Sequence, residues 1–339
     1  MAIAPKDKFS RELTNNGVKL HHSDFARYKR SLVGRFLDFI QFRKLIKDIN
    51  PDCVISFTSP SNIFFVILKY FLPSFKTIIT ISGRGSLFTN RGILGFLYRT
   101  TFKFLLRKSD AIFVQNEEDY LYANGVGCKS VTKVIGSGVD LSKFKIINKP
   151  FQTRRLKFFY IGRFLKSKGL DILLESVKIL RQKEFADIEF YVLGFSVPGH
   201  EDSYDASELR ALCCIHDVQL LGSTRSPEVE INKFDCLIMP TTYAEGTPKT
   251  ILEAAACGRP SLVFDVPGCN DVIKHNINGW VVKDKTAHGL SAAIEMISSS
   301  SSDSLQIVSN NAHKLAKEHY SVAANTNSYL RVVDELFDD

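Results

Sequence analysis

The sequence has little of what would mark a metalloprotein, a secreted scaffold or a membrane-spanning chain. Its seven cysteines include no C-x-x-C pair and no histidine at ligand spacing, which argues against a zinc site. They read instead as small apolar residues of a protein kept in a reducing cytoplasm. The longest apolar run, residues 63–72, is interrupted by Lys69 and falls well short of the roughly 20 residues of a helical span. The opening MAIAPKDKFS lacks the apolar core of a signal peptide. Carboxylates are scarce early on: residues 1–150 hold 24 Lys and Arg against 11 Asp and Glu, and the remainder holds 20 against 25. These balances, +13 and −5, sum to the formal net charge of +8 and point to an anionic contact for the first half. No nucleic-acid-binding motif or aromatic platform accompanies the basic residues, so nucleic acid is not the expected partner.

With 339 residues, 45% of them hydrophobic, the chain can build two domains with a core in each. CVISF at 53–57 and TIITIS at 77–82 read as strands joined by a helix at 61–71, and AIFVQ at 111–115 and VTKVI at 131–135 continue the sheet. Alternating strands and helices predict a Rossmann-like half. In residues 32–49, Phe36, Phe39, Ile40, Phe42 and Ile46 recur at helical spacing with basic residues elsewhere on the wheel, predicting a basic amphipathic helix. In the helix predicted at 93–108, Arg99, Lys103 and Arg107 share one face, with Phe96, Leu97, Phe104 and Leu105 beside it. Such a face is either simply solvated or docks on an anionic membrane surface. Gly83-Arg84-Gly85 follows the strand at 77–82, at the end where α/β sheets bind ligands. The glycines suit a turn, and Arg84 suits a phosphate or carboxylate.

In the second half, residues 157–177 read as strand, glycine turn and helix, with Arg163 and Lys168 flanking the turn next to Gly162. Strands follow at 188–194 and 218–223, separated by a long polar loop, and helices at 286–297, 303–318 and 321–337 close the chain, with serines 298–302 as a flexible connection. The most informative stretch is EGTPKTILEAAACGRP at 245–260, between apolar strands at 235–240 and 261–265. Thr247 suits a helix N-cap, Pro248 a first helical position and Gly258 the left-handed position past the end, predicting a helix over about 248–257. A helix N-terminus at the carboxyl end of parallel strands offers unpaired N–H groups to an anion. Glu245 lies in the loop before it and Glu253 inside it, two carboxylates available to a hydroxyl-rich ligand; a solvated Glu253 is the plain alternative.

The pattern Glu-Gly-Thr-Pro, a second Glu eight positions after the first, then Ala, Gly and Pro resembles the hallmark segment of the family-4 retaining glycosyltransferases, as do VPGCNDVI at 266–273 and NGWVV at 278–282. The similarity covers most of residues 156–283 and, more weakly, the chain before it. It implies a GT-B fold of two facing Rossmann-like domains with parallel sheets. Residues 1–147 would form the acceptor-side domain, 148–320 the nucleotide-sugar domain, and 321–339 a last helix crossing back. It further implies that Arg163 and Lys168 grip the donor diphosphate, that Glu245 with Gly246, Thr247 and Pro248 contacts the sugar and phosphates, and that Glu253 binds the ribose. The chain departs from the family in two places. It opens late, without the usual first strand and glycine-bearing loop, and Arg84 stands in a Thr-Gly-Leu-Gly-like segment with no histidine nearby.

The expected activity is therefore metal-independent transfer, with retention, from a nucleotide sugar, in particular a UDP-sugar, to a polyprenyl-diphosphate-linked or surface-glycan acceptor. No Asp-x-Asp pair is present for a metal clamp and no cofactor is called for. The expected place is the cytoplasmic face of the membrane, in peripheral contact with anionic lipid. The alternatives are a truncated nucleotide-binding remnant without catalysis and a sugar-nucleotide epimerase, whose acid and base set this chain does not display.

Overall fold

The computed structural model describes residues 1–4, 10–22, 32–83, 88, 91–151, 155–185 and 187–338. They fold as two compact units, one of residues 1–113 with 122–132 and the other of residues 114–121 with 133–339.

The first unit contains β1 (Ala2–Ala4), α1 (Ser10–Asn15), β2 (Leu20–His22), α2 (Leu32–Ile49), β3 (Cys53–Phe57), α3 (Ser59–Phe71), β4 (Lys76–Ile81) and α4 (Ile93–Lys108). It shares β5 (Ala111–Val114), α5 (Glu117–Gly125) and β6 (Val131–Lys133) with the second unit. β1 pairs in parallel with β2 as a separate two-stranded sheet, and a second sheet runs in the order β3-β4-β5-β6. The apolar runs of β4 and β5 are buried in the middle of this sheet. β3 lies at its edge, leaving Ile55 and Phe57 exposed. The carboxylate of Asp110 anchors β4 by pairing with Lys69 and accepting from the Thr77 N–H at 2.6 Å. Burial works to raise its pKa, but these donors outweigh that and hold it below the ordinary aspartate value.

Two helical expectations need correction. On α2, Phe42 and Ile46 are buried as periodicity requires, yet Ile40 is exposed and Asp38 is buried. On α4, Arg99 donates to the Phe88 carbonyl at 3.0 Å and Arg107 to the Val126 carbonyl at 2.7 Å, so two of the three spaced cations are tied into their own unit. Phe96, Leu97 and Phe104, expected beside those cations, are exposed, and only Leu105 of that set is buried.

The second unit carries β7 (Leu156–Arg163), a 3-10 turn at Lys166–Lys168, α6 (Leu170–Gln182), β8 (Ile188–Phe195), α7 (Ala206–Ile215), β9 (Gln219–Gly222) and α8 (Pro227–Ile231). There follow β10 (Cys236–Met239), α9 (Lys249–Ala256), β11 (Ser261–Phe264), α10 (Cys269–Val272), β12 (Gly279–Val282), α11 (Ala287–Ser298), α12 (Ser302–His319) and α13 (Val322–Phe337). The sheet order is β12-β11-β10-β7-β8-β9, and every pairing is parallel. All four residues of β10 and of β11 are buried, so both faces of the sheet are covered, which is why these strands read as unbroken apolar runs. The chain builds outward from β7 to β9 and then returns to the other side of β7 with β10. That reversal makes the β7/β10 boundary the topological switch point.

The connection at 145–151 is fastened to this unit rather than loose. Asn232 donates to the Lys145 carbonyl and accepts from the Ile147 N–H, and Asp235 accepts from the Phe151 N–H at 2.7 Å. The serine run is no flexible connection either: α11 extends to Ser298, and Ser301 caps α12 by accepting from the Ser304 N–H.

Candidate active site

The residues singled out in the second half converge where the chain leaves β7 and β10. Gly162 and Arg163 end β7, and Arg163 is exposed there, its carbonyl accepting from the Tyr160 hydroxyl at 2.7 Å. The 3-10 turn follows and closes on Gly169 at φ 73°. A side chain at that position would collide with the Pro240 carbonyl oxygen, so glycine permits both the left-handed backbone and the close approach of this turn to the end of β10. The two loops are then laced together: the Thr242 N–H and the Thr241 hydroxyl both donate to the Ser167 carbonyl at 3.3 Å.

This lacing brings Lys168 to Glu245, 77 positions away in sequence. Their side chains form an ion pair, both largely buried, and Glu245 also accepts from the Thr241 hydroxyl at 3.2 Å. Burial would lower the pKa of Lys168, but the charge and hydrogen bond of Glu245 outweigh it, so the ammonium is held above its ordinary value. The Tyr243 ring lies 5.1 Å from the Lys168 ammonium, an attraction of about 0.5–2 kcal/mol.

The backbone of 245–247 is held just as firmly. The Glu245 N–H donates to the Pro267 carbonyl at 3.0 Å, and the Glu245 carbonyl accepts from Asn116 Nδ2 at 3.0 Å. Gly268, at φ 87°, packs against the Glu245 and Gly246 carbonyls so closely that a Cβ there would overlap them. Thr247 is not the helix cap expected of it. Its hydroxyl donates to the Gln115 carbonyl at 2.9 Å, and Pro248, extended at ψ 120°, occupies the cap position without a side-chain bond. The helix accordingly starts one residue later than predicted, while Gly258 takes the left-handed position past its end at φ 71°. Gly246 and Thr247 are buried, yet among the described residues neither N–H has an acceptor within the protein. Unpaired amides beside a helix start and a lysine are of the kind that suits an anion.

Glu253 is not a solvated residue. It is 8% exposed, and burial raises its pKa against the opposing charges of Lys249, 3.7 Å away, and Lys143. Gly83 stands two residues past the end of the first unit's β4, at φ 105°, while Arg84 and Gly85 lie outside the described residues. Sequence reasoning missed Tyr243, Thr241, Asn116 and the clamp of Asp202 on the Ser167 N–H at 3.1 Å. Tyr243 and Thr241 stand two and four positions before Glu245, a signal that was there to use. Asn116 and Asp202 have none. Among the described residues no group of three or more His, Cys, Asp and Glu could hold a metal ion, and no helix is long and apolar enough to cross a membrane.

The class of protein follows from comparison with known families. Residues 142–315 match the family described as Glycosyl transferases group 1, and the chain belongs to that family as a glycosyltransferase of GT-B fold. It is 26% identical over 98% of its length to the N,N'-diacetylbacillosaminyl-diphospho-undecaprenol alpha-1,3-N-acetylgalactosaminyltransferase of Campylobacter jejuni, covering 90% of that enzyme. The capsular polysaccharide biosynthesis glycosyltransferase CapM of Staphylococcus aureus is 25% identical over 48% of the chain and 43% of its own length. Among solved structures, Anabaena HepE in complex with UDP superposes with a TM-score of 0.79 at 14% identity, covering 98% of this chain and 92% of that one. Sucrose-phosphate synthase from Thermosynechococcus elongatus superposes with 0.76 at 16% identity, over 95% and 84%. These likenesses support the fold.

Proposed function

We propose that the protein transfers a sugar, with retention and without a metal, from a UDP-sugar to a polyprenyl-diphosphate-linked intermediate of a surface glycan. The observation that carries this reading is the Lys168–Glu245 pair, a charged lysine held at the switch point beside the amides of Gly246 and Thr247, which have no acceptor among the described residues. Within the protein each partner neutralises the other. When the donor enters, Lys168 turns to the diphosphate together with Arg163 and the two amides, and Glu245 is released to accept from the sugar hydroxyls. As the bond from the anomeric carbon to the diphosphate oxygen breaks, negative charge grows on that oxygen, and Lys168 stabilises it in the transition state more than in the ground state. The acceptor hydroxyl oxygen bonds to the same face of the sugar and its proton passes to the departing diphosphate. Glu253 accepts from the ribose hydroxyls, which is what a buried carboxylate beside Lys249 is suited to do. The named substrates of the Campylobacter relative and the UDP in the HepE complex support the choice of acceptor and base.

Thermal melts with UDP, GDP and ADP test it. Saturation at 100 times Kd adds about 2.7 kcal/mol to the state that binds, a shift of several degrees. A shift with UDP, absent in Glu253→Ala, is expected, and indifference to all three nucleotides would overturn the reading.

A further inference from the structure

Between Asp52 and Asp110 the chain contains no Asp or Glu and eight Lys and Arg. This carboxylate-free stretch spans β3 to α4 of the first unit and includes its most exposed apolar surface. Ile93, Leu94, Phe96, Leu97 and Phe104 of α4, with Tyr70 of α3, are between 44% and 79% exposed. The two helices are packed together: the rings of Tyr70 and Phe104 stack at 5.8 Å, and the Tyr98 hydroxyl donates to Ser59 at 3.4 Å. The exposed side chains therefore form one surface rather than scattered points. Ile93, Phe96, Leu97 and Phe104 fall at i, i+3, i+4 and i+11, which is one stripe of a helix. Arg91, Lys103 and Lys108 are exposed around them.

We propose that the α3–α4 face of the first unit docks on an anionic lipid bilayer, its apolar stripe entering the headgroup boundary and its lysines meeting lipid phosphates. This deepens the lipid-linked acceptor reading and rests on it for its purpose. The docking elements differ from those read in the sequence. Arg99 and Arg107 are engaged within the unit, so the apolar residues around them carry the contact, with Lys103 and Lys108 as the cations. Charge complementarity chooses the occupant. A second copy would bring the same carboxylate-free cationic face against it, whereas an anionic headgroup layer answers the charge and an acyl layer the exposed rings.

Flotation of the full chain with phosphatidylcholine vesicles, with and without phosphatidylglycerol, tests the proposal. The wild type is expected to float with the anionic vesicles and to be released by salt. Ile93→Gln with Leu97→Gln should weaken binding about a hundredfold, since each side chain loses most of an apolar burial. Lys103→Glu with Lys108→Glu should weaken it at least about twentyfold, and most at low salt. All four positions are solvent-exposed, and an intact UDP-induced thermal shift checks that the variants fold. A wild type that ignores both vesicles, or a Gln pair that floats like the wild type, overturns the proposal. So does a lipid-free dimer in sedimentation that the Gln pair dissolves, because the face would then belong to a second copy. Transfer to a polyprenyl-diphosphate-linked acceptor in detergent is scored separately: its failure with flotation intact sinks the acceptor reading and leaves the docking face standing.

Discussion

The two units spend their apolar residues differently. In the second, β10 and β11 are buried from end to end, and a continuous core runs from Val139 to Tyr320. In the first, β4 and β5 alone among the described strands are enclosed, the edge strand β3 leaves Ile55 and Phe57 in solvent, and α4 presents an apolar stripe outward. A buried strand is rigid, and it can hold a lysine and a carboxylate at a fixed separation. An open helical face cannot do that, but it can be covered by something else. The difference suits the second unit to holding side chains at fixed separations and the first to adaptable contact.

The comparison breaks most sharply at Lys168. Lys168→Ala is expected to lower kcat by about 10²–10³ with a smaller change in KM, because the charge it meets grows in the transition state. Equal effects on both parameters would make it a binding residue only. Gly268→Ala should follow, with a loss of activity and about 2 kcal/mol or more of stability, from strain at positive φ plus overlap with the Glu245 and Gly246 carbonyls. Gly199→Ala, at φ 75° in open space, separates the two causes. It carries only the left-handed strain of about 1–2 kcal/mol and should leave turnover alone.

Packing sharpens the comparison further. Leu237→Ala in the closed core of the second unit should cost about 2–5 kcal/mol in chemical denaturation, and Leu97→Ala on the exposed stripe about 0.5 kcal/mol or less. Similar costs at the two sites would mean that the stripe is covered.

The smallest effect has the clearest sign. The pKa of Glu253 is raised in the folded protein by burial, so the folded state binds its proton more tightly than the unfolded chain does. That contribution is fully present below the ordinary glutamate value and is lost as pH rises through the raised one. Glu253→Gln should therefore melt higher than the wild type at neutral pH, and the gap should close as pH falls to the ordinary carboxylate range. A gap independent of pH would remove charge burial as its cause. The same variant should bind UDP more weakly, which would show a carboxylate kept for function at a cost in stability.

Much of the fold was legible because it rests on local patterns. The helices at 32–49 and 93–108 are observed over those residues, and the strands at 53–57, 236–239 and 261–264 follow their apolar runs. Most of the misreadings concern side chains with a choice of partner. Thr247 had the chemistry of a cap, and the Gln115 carbonyl, 132 positions away, took its hydroxyl instead. Arg99 and Arg107 had the spacing of a free basic face, and two backbone carbonyls claimed them. Ser301 lay in a run that looked flexible, and it caps a helix.

What the sequence determined by itself was the alternation of strands and helices, the glycine at 258, and the site residues that stand close together in the 245–260 stretch. Steric and hydrogen-bonding rules acting over a few residues suffice for these. Only the tertiary structure decided that Lys168 meets Glu245, that Tyr243 and Asn116 support them, that Glu253 is buried, and that the apolar stripe of α4 faces outward. Each depends on which surfaces the chain brings together across long separations. The order of parallel strands settles that, and no local pattern encodes it.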